Sequence, residues 1–244
     1  MEPQVQYAKT SDGVNIAFAS MGEGPPLVRL GVPGITHVQR ELGMFPGFVP
    51  PLAKDFRVIW YDSLGTGLSD RDAIDFSMEA MIRDLEAVIE RTGLQSFAAL
   101  GITSAVSIAV SYATTFPDRV SHLILVNGAT NFADIIDSPA VQATLALIDQ
   151  DWTLFTETSA RVLTGMDDPR LIEFFGEHIR ACVEPETYRA VTEAVKTYDV
   201  SALLADVRSE KLVLHDNTIP LLPSVPGRSL PQAFRTPASW PLTT

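Results

Sequence analysis

Apolar residues recur along this chain in two alternating rhythms, short runs of strand length and longer stretches at helical spacing. Residues 5–10 and 14–20 read as strands joined by Ser11-Asp12-Gly13, because Asp-Gly supplies the positive φ that a tight hairpin turn needs. Gly22-Glu23-Gly24-Pro25-Pro26 breaks the pattern, residues 27–30 give a third strand, and residues 57–61 a buried fourth. Ser77 caps a helix whose Met78, Met81, Ile82, Leu85, Val88 and Ile89 fall on one face, with Gly93 as its stop. Residues 97–100 form another strand, closed by Gly101, and residues 105–116 then read as a helix of small and apolar side chains. Residues 120–126 and 212–214 supply the last two strands. Strands alternating with helices predict a mostly parallel sheet with helices on both faces.

Between the last two strands the pattern changes. Residues 132–198 are helical stretches broken by Ser138-Pro139, Asp167-Asp168-Pro169 and Glu184-Pro185, with a proline at or near each first turn. From Thr218 onward Pro220, Pro223, Pro226, Pro231, Pro237 and Pro241 disfavour a regular strand or long helix, since each ring removes a donor and fixes φ. The chain therefore divides into residues 1–131, the first part of a core, residues 132–200, a helical insertion, and residues 201–244, the rest of the core with a proline-rich tail.

Composition narrows the function classes. A chain of 244 residues with 46% hydrophobic and 20% charged residues can build one domain with a full core. Its net charge of −12 argues against nucleic acid and anionic membrane surfaces, which need a basic face. Cys182 stands alone, so no internal disulfide is expected. No leader pattern and no apolar run near about 18 residues is present, so the expectation is a cytoplasmic protein with no signal peptide and no membrane span. The four histidines are scattered without ligand spacing, and Gly65-Thr66-Gly67 lacks the third glycine and helix start of a dinucleotide fingerprint. Neither a metal nor an organic cofactor is expected.

The candidate chemistry lies where the run at 97–100 turns into the helix at 105. Gly101-Ile102-Thr103-Ser104-Ala105, followed at the helix end by Phe116-Pro117-Asp118-Arg119-Val120, resembles the α/β-hydrolases, in particular those also found fused to adenylate cyclases and transcriptional regulators. The likeness spans residues 7–214. It implies the α/β-hydrolase fold with a helical cap over residues 132–200, and a nucleophile elbow in which a tight turn lifts a hydroxyl above the sheet. Gly101 and Ala105 take the two small positions, which puts Thr103, and not Ser104, at the nucleophile. The resemblance also implies an oxyanion hole from the backbone N–H groups of Ser104 and Ile35, the latter in the loop Gly31-Val32-Pro33-Gly34-Ile35-Thr36-His37. Gly34, His37, Trp152, Phe155 and Phe174 are candidates to line the substrate pocket, and Asp216 is a candidate triad acid, shifted from the usual position.

Two departures qualify the activity. The elbow carries threonine, whose extra methyl stiffens χ1, and no histidine follows His215, whereas the family's triad histidine lies near the C-terminus. The first reading is a hydrolase of carboxylic esters or related acyl compounds, weakened by an incomplete triad, using Thr103 or Ser104 with His37 or His178 as base. The second is a catalytically degenerate homologue that binds a small acyl ligand or a partner without turnover. A third has the proline-rich tail replacing the last strand and its histidine loop, which leaves a sheet edge open to pairing and is compatible with a homodimer. His122, inside a strand, is read as structural.

Overall fold

The computed structural model describes residues 4–44, 46–72, 75–165 and 167–215. Asp216 and the proline-rich tail lie outside the described residues, and with them the expectations placed on that stretch. Seven strands form one sheet among these residues: β1 (Gln6–Lys9), β2 (Asn15–Met21), β3 (Pro26–Arg29), β4 (Arg57–Tyr61), β5 (Phe97–Ile102), β6 (Val120–Val126) and β7 (Glu210–Leu214). Their order across the sheet is β1-β2-β4-β3-β5-β6-β7, with the β1–β2 and β2–β4 pairings antiparallel and the other four parallel. This is the mostly parallel α/β-hydrolase sheet that the sequence pattern and the resemblance predict. The strand ending at Gly101 runs further than its apolar residues suggest, pairing with β6 through Ile102.

The helices sort into those that cover the sheet and those inserted beyond it. Short helices α1 (Glu41–Met44) and α2 (Val49–Leu52) follow β3, and α3 (Met78–Thr92) and α4 (Ala105–Thr115) flank β5 in sequence. Between β6 and β7 come α5 (Ala133–Ile136), α6 (Pro139–Leu145), α7 (Trp152–Thr164), α8 (Pro169–Cys182) and α9 (Pro185–Lys196), then a 3₁₀ turn at Ser201–Asp206. The side-chain period of two divides each strand between two cores. Ile59 and Tyr61 of β4 face the larger cluster with α3 and α4, whereas Val58 and Trp60 face a smaller one with Val38 and Val49. On α3, Ser77 accepts from Ala80 N, and Gly93 ends the helix at φ 70°. The predicted stripe is buried through Met81, Leu85, Val88 and Ile89, each contributing about 1.5–3 kcal/mol.

The first turn of helix α4, Ala105-Val106-Ser107, is pressed by two strands. A β-carbon on Gly101 would stand 2.8 Å from Ala105 O and 2.9 Å from Val106 Cα, and one on Gly128, after β6, 2.5 Å from Val106 Cγ2. Only glycine lets β5 and the exit of β6 approach the first turn of α4 this closely. The loop after β4 is drawn inward by polar contacts instead. Buried Asp62 accepts from Leu68 N at 2.8 Å, and Ser69 Oγ donates to Asp62 O and accepts from Ala17 N. Burial pushes the Asp62 carboxyl up to about 7, against the lowering effect of the Leu68 and Val38 N–H groups.

Two predictions follow from these contacts. Gly101→Ala should lower stability by about 1–3 kcal/mol, since backbone must move to admit the methyl. Gly43→Ala, where nothing lies within 4 Å, should be neutral or slightly stabilising, and urea midpoints of the two variants compare them. For Asp62, the unfolded carboxyl releases its proton near pH 4 while the folded one holds it to about 7, so this group makes stability fall as pH rises across that window. Asp62→Asn should remove that part of the slope, about 1.4 kcal/mol per pH unit, in urea melts taken from acid to neutral pH.

Candidate active site

Thr103 is the residue on which β5 turns into α4, and its backbone sits at φ 49°. For a β-branched side chain this left-handed conformation is an outlier that costs about 1–3 kcal/mol and is sustained only by the surrounding fold. Thr103 N donates to Val126 O at 2.9 Å, and Thr103 O accepts from Val106 N at 3.1 Å, which hold the turn from both sides. Ser104 follows in a helical conformation without capping the helix through its side chain. Among the described residues no acceptor takes the Ser104 N–H.

The loop after β3 stands beside this turn. The parallel register pairs Arg29 with Leu100, and Leu30 N still donates to Leu100 O, so carrying it past the strand ends brings Val32 level with Thr103. The Ile35 N–H, the donor expected from the sequence, is engaged in a turn to Val32 O at 3.1 Å, and the Gly34 N–H donates to Thr66 Oγ1. The Val32 N–H has no acceptor among the described residues. Two free backbone donors, Val32 N and Ser104 N, thus sit at the C-terminal ends of adjacent strands. The sequence reading missed Val32; the signal available was its place as the first residue after the Leu30-Gly31 strand end.

Helix α8 fixes this loop from the other side. His178 Nε2 donates to Ile35 O at 2.7 Å and Cys182 Sγ lies 3.0 Å from the same oxygen, while Cys182 O accepts from Gly67 N and Ala181 O from Arg71. With the ring proton on Nε2, His178 Nδ1 is left buried without a partner among the described residues. Burial lowers His178 to about 4, opposed by its bond to Ile35 and assisted by Arg40, His37 and Arg29. Burial likewise pushes the Cys182 thiol up and, with Arg40 and Arg71 nearby, lowers half-buried His37.

A cavity of about 140 Å³ opens above the turn. Thr103, Ser104, Pro33 and Ile35 form its floor and one side, Phe132 with Ile135 and Ile136 of α5 another, and side chains of α6 and α9 the rest. The structure therefore brings Thr103, Ser104 and Ile35 together. Gly34 stands just behind, its missing β-carbon 3.6 Å from Tyr188 and Val191, which line the cavity. Trp152 and Phe155 stack at 5.1 Å and meet Tyr188 edge-on at 5.9 and 5.0 Å, so they back its wall without lining it. Phe174 is 42% exposed on α8 and does not reach the cavity, nor does His37 line it. His122 is exposed beside Ser121.

His215 is the histidine that the sequence reading passed over. The registers pair Ile102 with Val126 and Val126 with Leu214, and Asn127 N donates to Leu214 O, so His215 emerges at the same sheet end as Thr103, two strands away. Adjacent strands lie about 4.8 Å apart, which makes that about 10 Å between backbones. Among the described residues no group of three or more His, Cys, Asp or Glu side chains is placed to hold a metal ion, and no helix is long and apolar enough to cross a membrane.

Known proteins share this fold. Among solved structures, an esterase from Exiguobacterium antarcticum superposes with a TM-score of 0.77 at 22% identity, over 91% of this chain and 84% of that one. An enol-lactonase from Burkholderia xenovorans gives 0.72 at 20%, over 85% and 80%. In sequence, the Karrikin insensitive 2 receptor IA of Petunia hybrida is 25% identical over 170 residues, 65% of this chain and 62% of its own. A protein of Azorhizobium caulinodans named for carbamate hydrolysis is 35% identical over 126 residues, 50% of this chain and 44% of its own. The chain spans less than two thirds of these curated relatives. The model of the alpha/beta hydrolase fold family matches residues 30–165, more than half of the chain, and the chain belongs to that family.

Proposed function

We propose that the protein hydrolyses carboxylic esters or related small acyl compounds, with Thr103 as nucleophile and residues 132–200 acting as the cap over the site. The observation that carries this reading is a hydroxyl-bearing, β-branched residue held at φ 49° at a strand end, beside two backbone N–H groups without acceptors among the described residues. Thr103 Oγ1 attacks the acyl carbon as its proton passes to a base, and the carbonyl oxygen becomes an oxyanion that Ser104 N–H and Val32 N–H stabilise. The alcohol leaves with the proton, and water then releases the acid from the acyl-threonine by the reverse use of the same groups. For the base we assign His215, which stands at the right end of the sheet, over His178, whose Nε2 is engaged by Ile35 O. No step is assigned to Asp216.

A second reading is a homologue that binds an acyl ligand without turnover. It is favoured by the absence of any histidine from the described residues that line the cavity and by a relative whose name describes a receptor.

Hydrolysis of a series of p-nitrophenyl esters separates the two. Thr103→Ala should lower turnover by about 10²-fold or more, and His215→Ala by a similar factor, whereas Ser104→Ala, which keeps its N–H, should have little effect. Thr103→Ser should raise turnover by removing the methyl that restricts χ1. Loss in Ser104→Ala with Thr103→Ala unaffected would move the nucleophile by one residue. Turnover at background in the native protein would leave the binding reading.

A further inference from the structure

Resting on the assignment of the Thr103 end as the carbonyl end, we propose that this cavity selects a neutral ligand with one carbonyl and a benzene-sized apolar body, and rejects the corresponding carboxylate. Three observations point the same way. First, no charged side chain is among the described residues that line the cavity. A carboxylate seated there would exchange its hydration for at most the Ser104 and Val32 N–H groups, with no cation among the described lining residues to balance its charge, a cost that an ester or amide does not meet. Second, the polar atoms that do reach the cavity are clustered or engaged. Thr103 and Ser104 share one end, Thr192 Oγ1 donates to Tyr188 O at 2.9 Å, and burial holds Tyr188 neutral up to about 12. The body of the ligand therefore meets Ile135, Val141, Leu145, Val191 and Val195. Third, the volume of about 140 Å³ is close to the roughly 150 Å³ of an apolar cavity known to admit benzene, and sets the size of that body at about six carbons.

The same selectivity gives hydrolysis a direction. The ester enters uncharged, and the acid formed from it ionises at neutral pH into a species the walls disfavour. Product leaves because of its charge, and the acid product should be a poor inhibitor.

Benzamide and benzoate have the same shape and differ in charge, so they test the proposal directly. Isothermal titration of the full chain near neutral pH should give millimolar binding of benzamide and at least about tenfold weaker binding of benzoate. Leu145→Trp, which fills the cavity from a half-buried position, should weaken benzamide about tenfold or more, and Val141→Trp serves in its place if that variant melts early. Benzoate binding as tightly as benzamide, no benzamide binding up to about 10 mM, or an unchanged affinity in a folded tryptophan variant would each overturn it. Benzamide binding without ester turnover would thus sink the catalytic reading alone, and turnover that depends on Thr103 without benzamide binding would sink this one alone.

Discussion

The close approach of β5 to the first turn of α4 is the constraint on which the site depends. With glycine at 101 the strand can run to Ile102 before the helix begins, and the single residue left to reverse the chain, Thr103, must adopt a left-handed backbone. The hydrogen bonds from Thr103 N to Val126 O and from Val106 N to Thr103 O then fix that conformation. A tight turn here has two consequences at once. It sets residue 103 at the cavity, and it leaves Ser104 N–H, one of the orphan donors of a helix start, without an acceptor among the described residues. Gly128 applies the same logic from β6, so the first turn of α4 is held against both parallel neighbours.

The floor of the cavity depends on a second, polar constraint. Ile35 O takes His178 Nε2 and lies beside Cys182 Sγ, and the end of α8 is tied again through Gly67 N and Arg71. These contacts join the loop after β3, the loop after β4 and the inserted helices, one of them from backbone to backbone and the others from a side chain to a backbone carbonyl. A neutral His178 suits this role, since a buried imidazolium beside Arg40 and Arg29 would be repelled. The inserted helices thereby do more than cover the cavity; they also set the conformation of one of its walls.

Much of the fold was legible because it follows from period and punctuation. The strand period of two, the stripe on α3 and the Ser77 and Gly93 stops belong to local chemistry, and all seven strands lie where the apolar runs predict them. The short helices α1 and α2 were not legible, as four-residue turns carry too few positions to show a period. In the site, Thr103 and Ser104 could be placed from a spacing, yet the donor and base could not. Whether Ile35 or Val32 offers a free N–H is decided by a turn to Val32 O, and the place of His215 by registers linking residues far apart in sequence. The aromatic residues failed for a related reason: Trp152, Phe155 and Phe174 share one helical region, but only the tertiary packing decides that two back Tyr188 and the third faces outward.

The threonine itself argues for chemistry over a bare scaffold. A turn that needed only to reverse the chain would be relieved by glycine or asparagine at 103, which occupy the left-handed region at little cost. A β-branched residue there is among the least favourable choices, and what it offers in return is a hydroxyl. Among the described residues that line the cavity above it none is charged, so the strained hydroxyl faces a mainly apolar space. Strain and cavity arise from separate parts of the chain, one from Gly101 and α4, the other from α5, α6 and α9. Their meeting at one residue is what a bare structural turn would have no reason to produce.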